Sequence, residues 1–121
     1  MADHRRERVE HLLRTQLATL LVREAKDPRL ASVAVAGVRM TADLRQARVF
    51  YRLLGEVDRA AVERALARAT PFLRAAVGRS LGLRVTPALV FEYDTTPDAA
   101  RRVEELLRNA TGEDPDGEDE T

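Results

Sequence analysis

Hydrophobic residues recur along this chain with two different periods, and the alternation between the periods predicts its elements. Val9, Leu12, Leu13, Leu17, Leu20 and Leu21 fall at helical spacing and predict an amphipathic helix over residues 4–25, with Asp3 as its N-cap. Lys26-Asp27-Pro28-Arg29 stops that helix, because the residue before a proline is pushed out of the helical region. A strand over residues 32–40 follows. Val33 and Val35 share one face, and after Gly37 the large residues Val38 and Met40 take the other parity, which signals a bulge. Residues 41–46 form a hairpin loop. In a second strand, residues 47–54, Val49, Tyr51 and Leu53 alternate with Arg48 and Arg52, the pattern of a half-exposed strand.

Asp58 caps the next helix, whose stripe is Val62, Ala65, Leu66 and Ala69. Ala69-Thr70-Pro71 then predicts a sharp kink. Proline lacks a backbone N–H and clashes with the preceding turn, so it is tolerated mainly at a helix start. Two helices are expected to meet there, the second over residues 71–81 with Thr70 as its N-cap. An irregular link (82–87), a third strand (88–93) and a polar turn lead to a last helix, capped by Asp98 and carrying Val103, Leu106 and Leu107. The order is α-β-β-α-kink-α-β plus a short C-terminal helix. This is an α+β domain with a three-stranded mixed sheet, helices on one face, and strands two and three parallel through a helical crossover.

The helix after the kink has two unlike faces. Phe72, Leu73, Ala76, Val77 and Leu81 form an apolar face at about 100° per residue. Opposite lie Ala75, Gly78 and Gly82, with Arg74 and Arg79 on the shoulders. A floor of small residues between arginines admits a phosphate or a backbone, and a helix start favours an anion. The same pattern also suits a helix pair packed on a sheet, with arginines exposed as ordinary surface charge.

Charge sharpens this picture. Residues 111–121 carry six acids and no base, so residues 1–110 hold 20 bases against 14 acids, a balance of +6. A basic domain over residues 1–110 and an acidic, disordered tail over residues 111–121 are expected, and the basic body suits a polyanionic partner. Arg5, Arg6 and Arg8 crowd the start of the first helix, where the helix dipole disfavours cations; a polyanion would reward that placement, and a solvated basic end is the equal alternative. The chain has no cysteine, and no apolar run approaches the roughly 18 residues of a membrane span. Nor does the N-terminus read as a secretory signal, so a cytoplasmic monomer with no membrane partner is expected. His4 and His11 read as exposed helix residues rather than metal ligands, and Ser32 and Ser80 lack a nucleophile context. The expectation is a non-enzyme with no cofactor, metal or small-molecule substrate.

Several segments together resemble one family. Residues 26–30 (KDPRL), 41–49 (TADLRQARV), Phe72-Leu73-Arg74, 83–89 (LRVTPAL) and Phe91-Glu92-Tyr93-Asp94 are similar to bacterial ribosome-binding factor A, co-linearly over residues 5–108. The resemblance implies a type II KH-like fold. It also implies a non-enzymatic assembly factor that binds the free small (30S) ribosomal subunit and its 16S rRNA, assists late maturation and 5′-end processing, and supports growth in the cold. The family's Ala-x-Gly kink falls on Ala69-Thr70-Pro71, with proline where the family has glycine.

On this reading Arg74, Arg79, Arg84 and Arg68 meet RNA around the kinked helix, with Ala75 and Gly78 as its floor, and Arg45, Arg5 and Arg8 contribute from the hairpin and first helix. Spacing and charge nominate these residues; the resemblance supports Arg45, Arg74 and Arg84 most directly. Arg84 has the alternative role of bonding the last carbonyls of the preceding helix. Two other functions stay open: a KH-like module for single-stranded nucleic acid in another pathway, and a protein-interaction domain without nucleic acid. The first needs exposed aromatics, and the chain has few candidates.

Overall fold

The computed structural model describes residues 4–23 and 26–111. The first helical stripe becomes α1 (His4–Arg23), which turns Val9, Leu13, Leu17, Leu20 and Leu21 inward. Leu12 does not join them and is 43% exposed. It sits about 100° around the helix from Leu13, off the line of the others. Asp3, the expected cap, and residues 24–25 lie outside the described residues, as do residues 112–121. Of the acidic tail only Thr111 is described, as the last residue of α3.

The stop at Asp27-Pro28 is a 3-10 turn, Pro28–Ser32. The Asp27 carboxylate accepts from the Arg29 amide at 3.0 Å and from the Arg29 guanidinium at 3.1 and 2.8 Å. Leu30 from this turn is fully buried. Strand β1 (Val33–Met40) pairs antiparallel with β2 (Gln46–Leu53), and β2 pairs parallel with β3 (Ala88–Tyr93), in the order β1-β2-β3. The register slips between Val35 and Gly37, so the bulge is present. On the inner face Val33, Val35, Val38, Met40, Ala47, Val49, Tyr51 and Leu89 join the α1 leucines and the buried stripe of α2 in one core.

Helix α2 (Arg59–Leu81) corrects the two-helix expectation. Asp58 caps it, accepting from the Ala60 amide at 3.0 Å. The helix then continues through residues 69–71 with Pro71 in its interior. Thr70 caps nothing: its hydroxyl donates back to the Leu66 carbonyl at 2.7 Å, a bond made inside helices. An interior proline costs about 3 kcal/mol. Val62, Ala65 and Leu66 before it, and Leu73, Ala76 and Val77 after it, are all buried against the same core. Each Leu or Val buried there is worth about 1.5–3 kcal/mol, so packing holds the two halves as one helix. Phe72, expected inside, is 41% exposed.

Helix α3 (Pro97–Thr111) is capped by Thr96 rather than Asp98. The Thr96 hydroxyl accepts from the Ala99 amide at 3.2 Å, and Pro97 occupies the first helical position, which suits a residue without an N–H. Asp98 instead pairs with Arg101 at 2.6 Å. α3 contacts β1 and β2 and buries Ala99 and Val103 apart from the main core. Ala34 and Ala36, of outward parity on β1, are buried too. α3 therefore lies on the outer face of the sheet, opposite α1 and α2. Its Leu106 and Leu107 stay largely exposed. Among the described residues no helix is long and apolar enough to cross a membrane.

Candidate nucleic-acid interface

One pole of the molecule gathers cations from three distant parts of the chain. The β1–β2 hairpin forms it first. Asp43 Oδ1 accepts from the Thr41 hydroxyl at 2.7 Å and from the Arg45 amide at 3.0 Å. Those two bonds, with the Arg45 charge, hold the Asp43 carboxyl below its ordinary range. Leu44, between them, takes a φ of 61°, a conformation that costs a non-glycine residue about 1–2 kcal/mol. The start of α1 is fastened alongside, since Glu10 Oε2 accepts from the Met40 amide at 2.8 Å.

The link between α2 and β3 completes the pole. Gly82, at φ 61°, ends α2 in the left-handed region. The Ala88 amide donates to the Arg45 carbonyl at 2.8 Å, which sets the link beside the hairpin. Arg5, Val9, Asp43, Leu44, Leu83 and Arg84 then line a groove of about 260 Å3.

The structure sorts the seven predicted arginines by what they do. Arg5, Arg8, Arg45, Arg79 and Arg84 are exposed, and among the described residues their side chains make no hydrogen bond or ion pair. Arg79 stands in the last turn of α2, which ends at this pole. Arg74 is exposed too, but its guanidinium is held in place. Its Nε donates to the Pro87 carbonyl at 3.1 Å and its Nη2 to the Thr86 carbonyl at 3.0 Å. The role of bonding nearby carbonyls, considered for Arg84, falls to Arg74, which latches the link. Arg68 lies away from the pole, 3.5 Å from Asp27 beside the 3-10 turn. There Arg29, the stronger influence, and Arg68 bring the Asp27 pKa down to about 2.

The small-residue floor is also partly spoken for. A Cβ on Gly78 would stand 2.5 Å from Thr86 Oγ1, so the close approach that glycine permits is taken by Thr86 of the link. Ala75 is exposed. Ala69, Thr70 and Pro71 lie along α2 as described above.

A second set of cations went unassigned in the sequence. Alternation along β2 turns Arg48, Phe50 and Arg52 to the outer face, where Arg39 of β1 stands directly across from Arg48. Arg102 of α3 joins them, donating to the Ala36 carbonyl at 2.7 Å where the bulge leaves that strand out of step. The strand period marks Arg48 and Arg52 as outward. Nothing local in the sequence places α3 beside them.

Comparison with known proteins gives one answer throughout. Residues 5–107 match the family model described as ribosome-binding factor A. The chain is 50% identical over 95 residues to ribosome-binding factor A of Saccharopolyspora erythraea, covering 78% of this chain and 57% of that protein. It is 43% identical over 120 residues to the Corynebacterium jeikeium protein of the same name, covering 94% of this chain and 85% of that one. Among solved structures it resembles the crystal structure of ribosome-binding factor A from Thermus thermophilus. That match has a TM-score of 0.63 and 32% identity, over 73% of this chain and 94% of that one. It also resembles a Thermus thermophilus homology model fitted into a cryo-EM map of a 30S complex. Here the TM-score is 0.59 and the identity 33%, over 70% and 90% of the two chains. The α+β architecture with its three-stranded mixed sheet is the KH-like fold of these neighbours.

Proposed function

The chain belongs to the ribosome-binding factor A family, and from that premise we propose that it binds the free small ribosomal subunit through 16S rRNA. In this reading it acts without catalysis in the cytoplasm, assisting late maturation of the subunit and processing of the 5′ end of that RNA. The homologous Thermus factor fitted into a 30S complex supports the partner. The observation that carries the reading is the pole itself, where Arg5 and Arg84 line the groove and Arg45 and Arg79 stand exposed near it, against one carboxylate, Asp43, that makes no ion pair with any of the four. Arginine matches phosphate bidentately, and folded RNA is recognised chiefly by shape and backbone.

Co-sedimentation with purified small subunits, large subunits and whole ribosomes across a salt series tests this. Binding to free small subunits should weaken steeply with salt. An Arg5→Gln, Arg84→Gln variant should lose affinity and lower the salt slope by about one for each phosphate contact removed. Salt-independent binding, or binding to no particle, would refute the proposal. Cells lacking the protein should accumulate 16S rRNA with an unprocessed 5′ end, and normal ends there would remove the processing role.

A further inference from the structure

The outer face of the sheet has the composition of an RNA surface in its own right. A trough of about 660 Å3 runs over it, against about 260 Å3 for the groove at the pole. Its floor is the bulge, Ala36 and Gly37, and its walls include Arg39, Arg48, Phe50 and Arg102. Arg102 lies over this floor, its Nη1 2.7 Å from the Ala36 carbonyl and 3.9 Å from where a Cβ on Gly37 would stand.

The charges in this trough are not balanced. Arg39 and Arg48 are cross-strand partners, and like charges directly opposite each other are destabilising. Arg48 is drawn towards Glu92, donating at 2.8 Å from both Nε and Nη2. Arg39 is exposed and has no acceptor among the described residues. Arg102 donates at 2.7 Å to the carbonyl of Ala36, which orients its guanidinium group without neutralising it. Three arginines, Arg39, Arg48 and Arg102, thus line the trough with one carboxylate, Asp94, while Glu92 holds Arg48 from outside it.

An aromatic stands among these cations. Phe50 is half-buried, and the Arg48 guanidinium lies 5.2 Å from its ring centroid. Glu92 grips that guanidinium at two points, so the Arg48 cation is held in place beside the Phe50 ring. Bases splayed from single-stranded RNA stack on aromatic rings and on arginine planes, while arginines beside them take phosphates. An acidic protein segment would use the cations but has no need of an aromatic ring among them.

We propose that this outer face is a second RNA-contact surface, on which an extended single strand lays phosphates against Arg39 and Arg102 and a base against the Arg48–Phe50 pair. The inference rests on the RNA reading above and adds a separate surface to it. The partner strand belongs to the same subunit as the RNA at the pole, so the two surfaces would hold two RNA segments in fixed relation.

The test compares the full chain with Arg39→Gln, Phe50→Ala and the pole variant Arg84→Gln. Each is titrated against purified free small subunits across a salt series, with melting temperature as a folding control. Arg39→Gln, at an exposed position, should weaken binding and lower the salt slope by about one. Phe50→Ala should weaken binding about tenfold with the slope unchanged, as expected for a lost stack. A photo-crosslinker at residue 39 should label rRNA. Unchanged affinity and slope in Arg39→Gln, with Arg84→Gln weakened, overturns this inference and leaves the pole standing. Crosslinks to ribosomal protein alone also overturn it. Failure of the unmodified chain to bind removes both readings.

Discussion

Gly78 and Thr86 make the packing of the link directly measurable. Glycine inside a helix costs about 1 kcal/mol relative to alanine, so Gly78→Ala would ordinarily stabilise α2. Here the new Cβ would meet Thr86 Oγ1 at 2.5 Å, Cγ2 at 3.3 Å and Cβ at 3.4 Å. Threonine is stiff at χ1, its carbonyl is held by Arg74, and the next residue, Pro87, is buried, so it has little room to step aside. Overpacking of this kind costs about 1–3 kcal/mol, which matches or exceeds the propensity gain. Gly78→Ala should therefore destabilise the protein by about 1 kcal/mol. With Thr86→Ala in the background, only a Cβ at 3.4 Å remains, and the same change should stabilise by about 1 kcal/mol. Urea unfolding of the four proteins, with m-values compared, reads the coupling as about 2 kcal/mol. If Gly78→Ala stabilises both backgrounds equally, within about 0.5 kcal/mol, Thr86 does not hold that space and the reasoning fails.

Two further outcomes follow from particular contacts. Pro71→Ala should restore an amide donor towards the Ala67 carbonyl and raise stability by up to about 3 kcal/mol; an unchanged urea midpoint would mean the helix had already relaxed around the proline. Asp27, with its pKa lowered from 3.8 to about 2 by Arg29 and Arg68, contributes stability that is fully present above pH 4 and lost as pH falls through 2. Asp27→Asn should be less stable than the parent at pH 6 and converge with it near pH 2, followed by urea midpoints; a constant gap would show that ionisation of Asp27 is not the cause.

Where burial imposed a period, the fold was readable in advance. The leucines of α1, the alternation of β2 and the parity change at Gly37 each came through because one face of each element meets the core. Pro71 misled for the complementary reason: the local rule against interior proline is real, but buried residues on both sides of it outweigh the cost. The site was half legible. Spacing and charge nominated Arg5, Arg45 and Arg84, and the resemblance supported the last two, but nothing local brings them together, since the hairpin, the link and α1 are far apart in the chain. Arg74 looked like a phosphate ligand on a helical wheel. Its guanidinium also bonds the carbonyls of residues 86 and 87, a partnership that helical spacing cannot reveal. The outer face was hidden because it needs α3, whose position across the sheet leaves no periodic trace.

The parallel pairing of β2 with β3 also sets an order on synthesis. The β1–β2 hairpin and α1 are complete once residue 53 has emerged, yet Gln46 must wait for Ala88 and Tyr51 for Tyr93. Throughout that interval β2 carries an open backbone edge beside an uncovered Val49 and Tyr51, the kind of surface on which nascent chains pair wrongly. The Arg74 latch can close only after residues 86 and 87 have been added, so it joins the link to α2 just as β3 arrives to seal that edge.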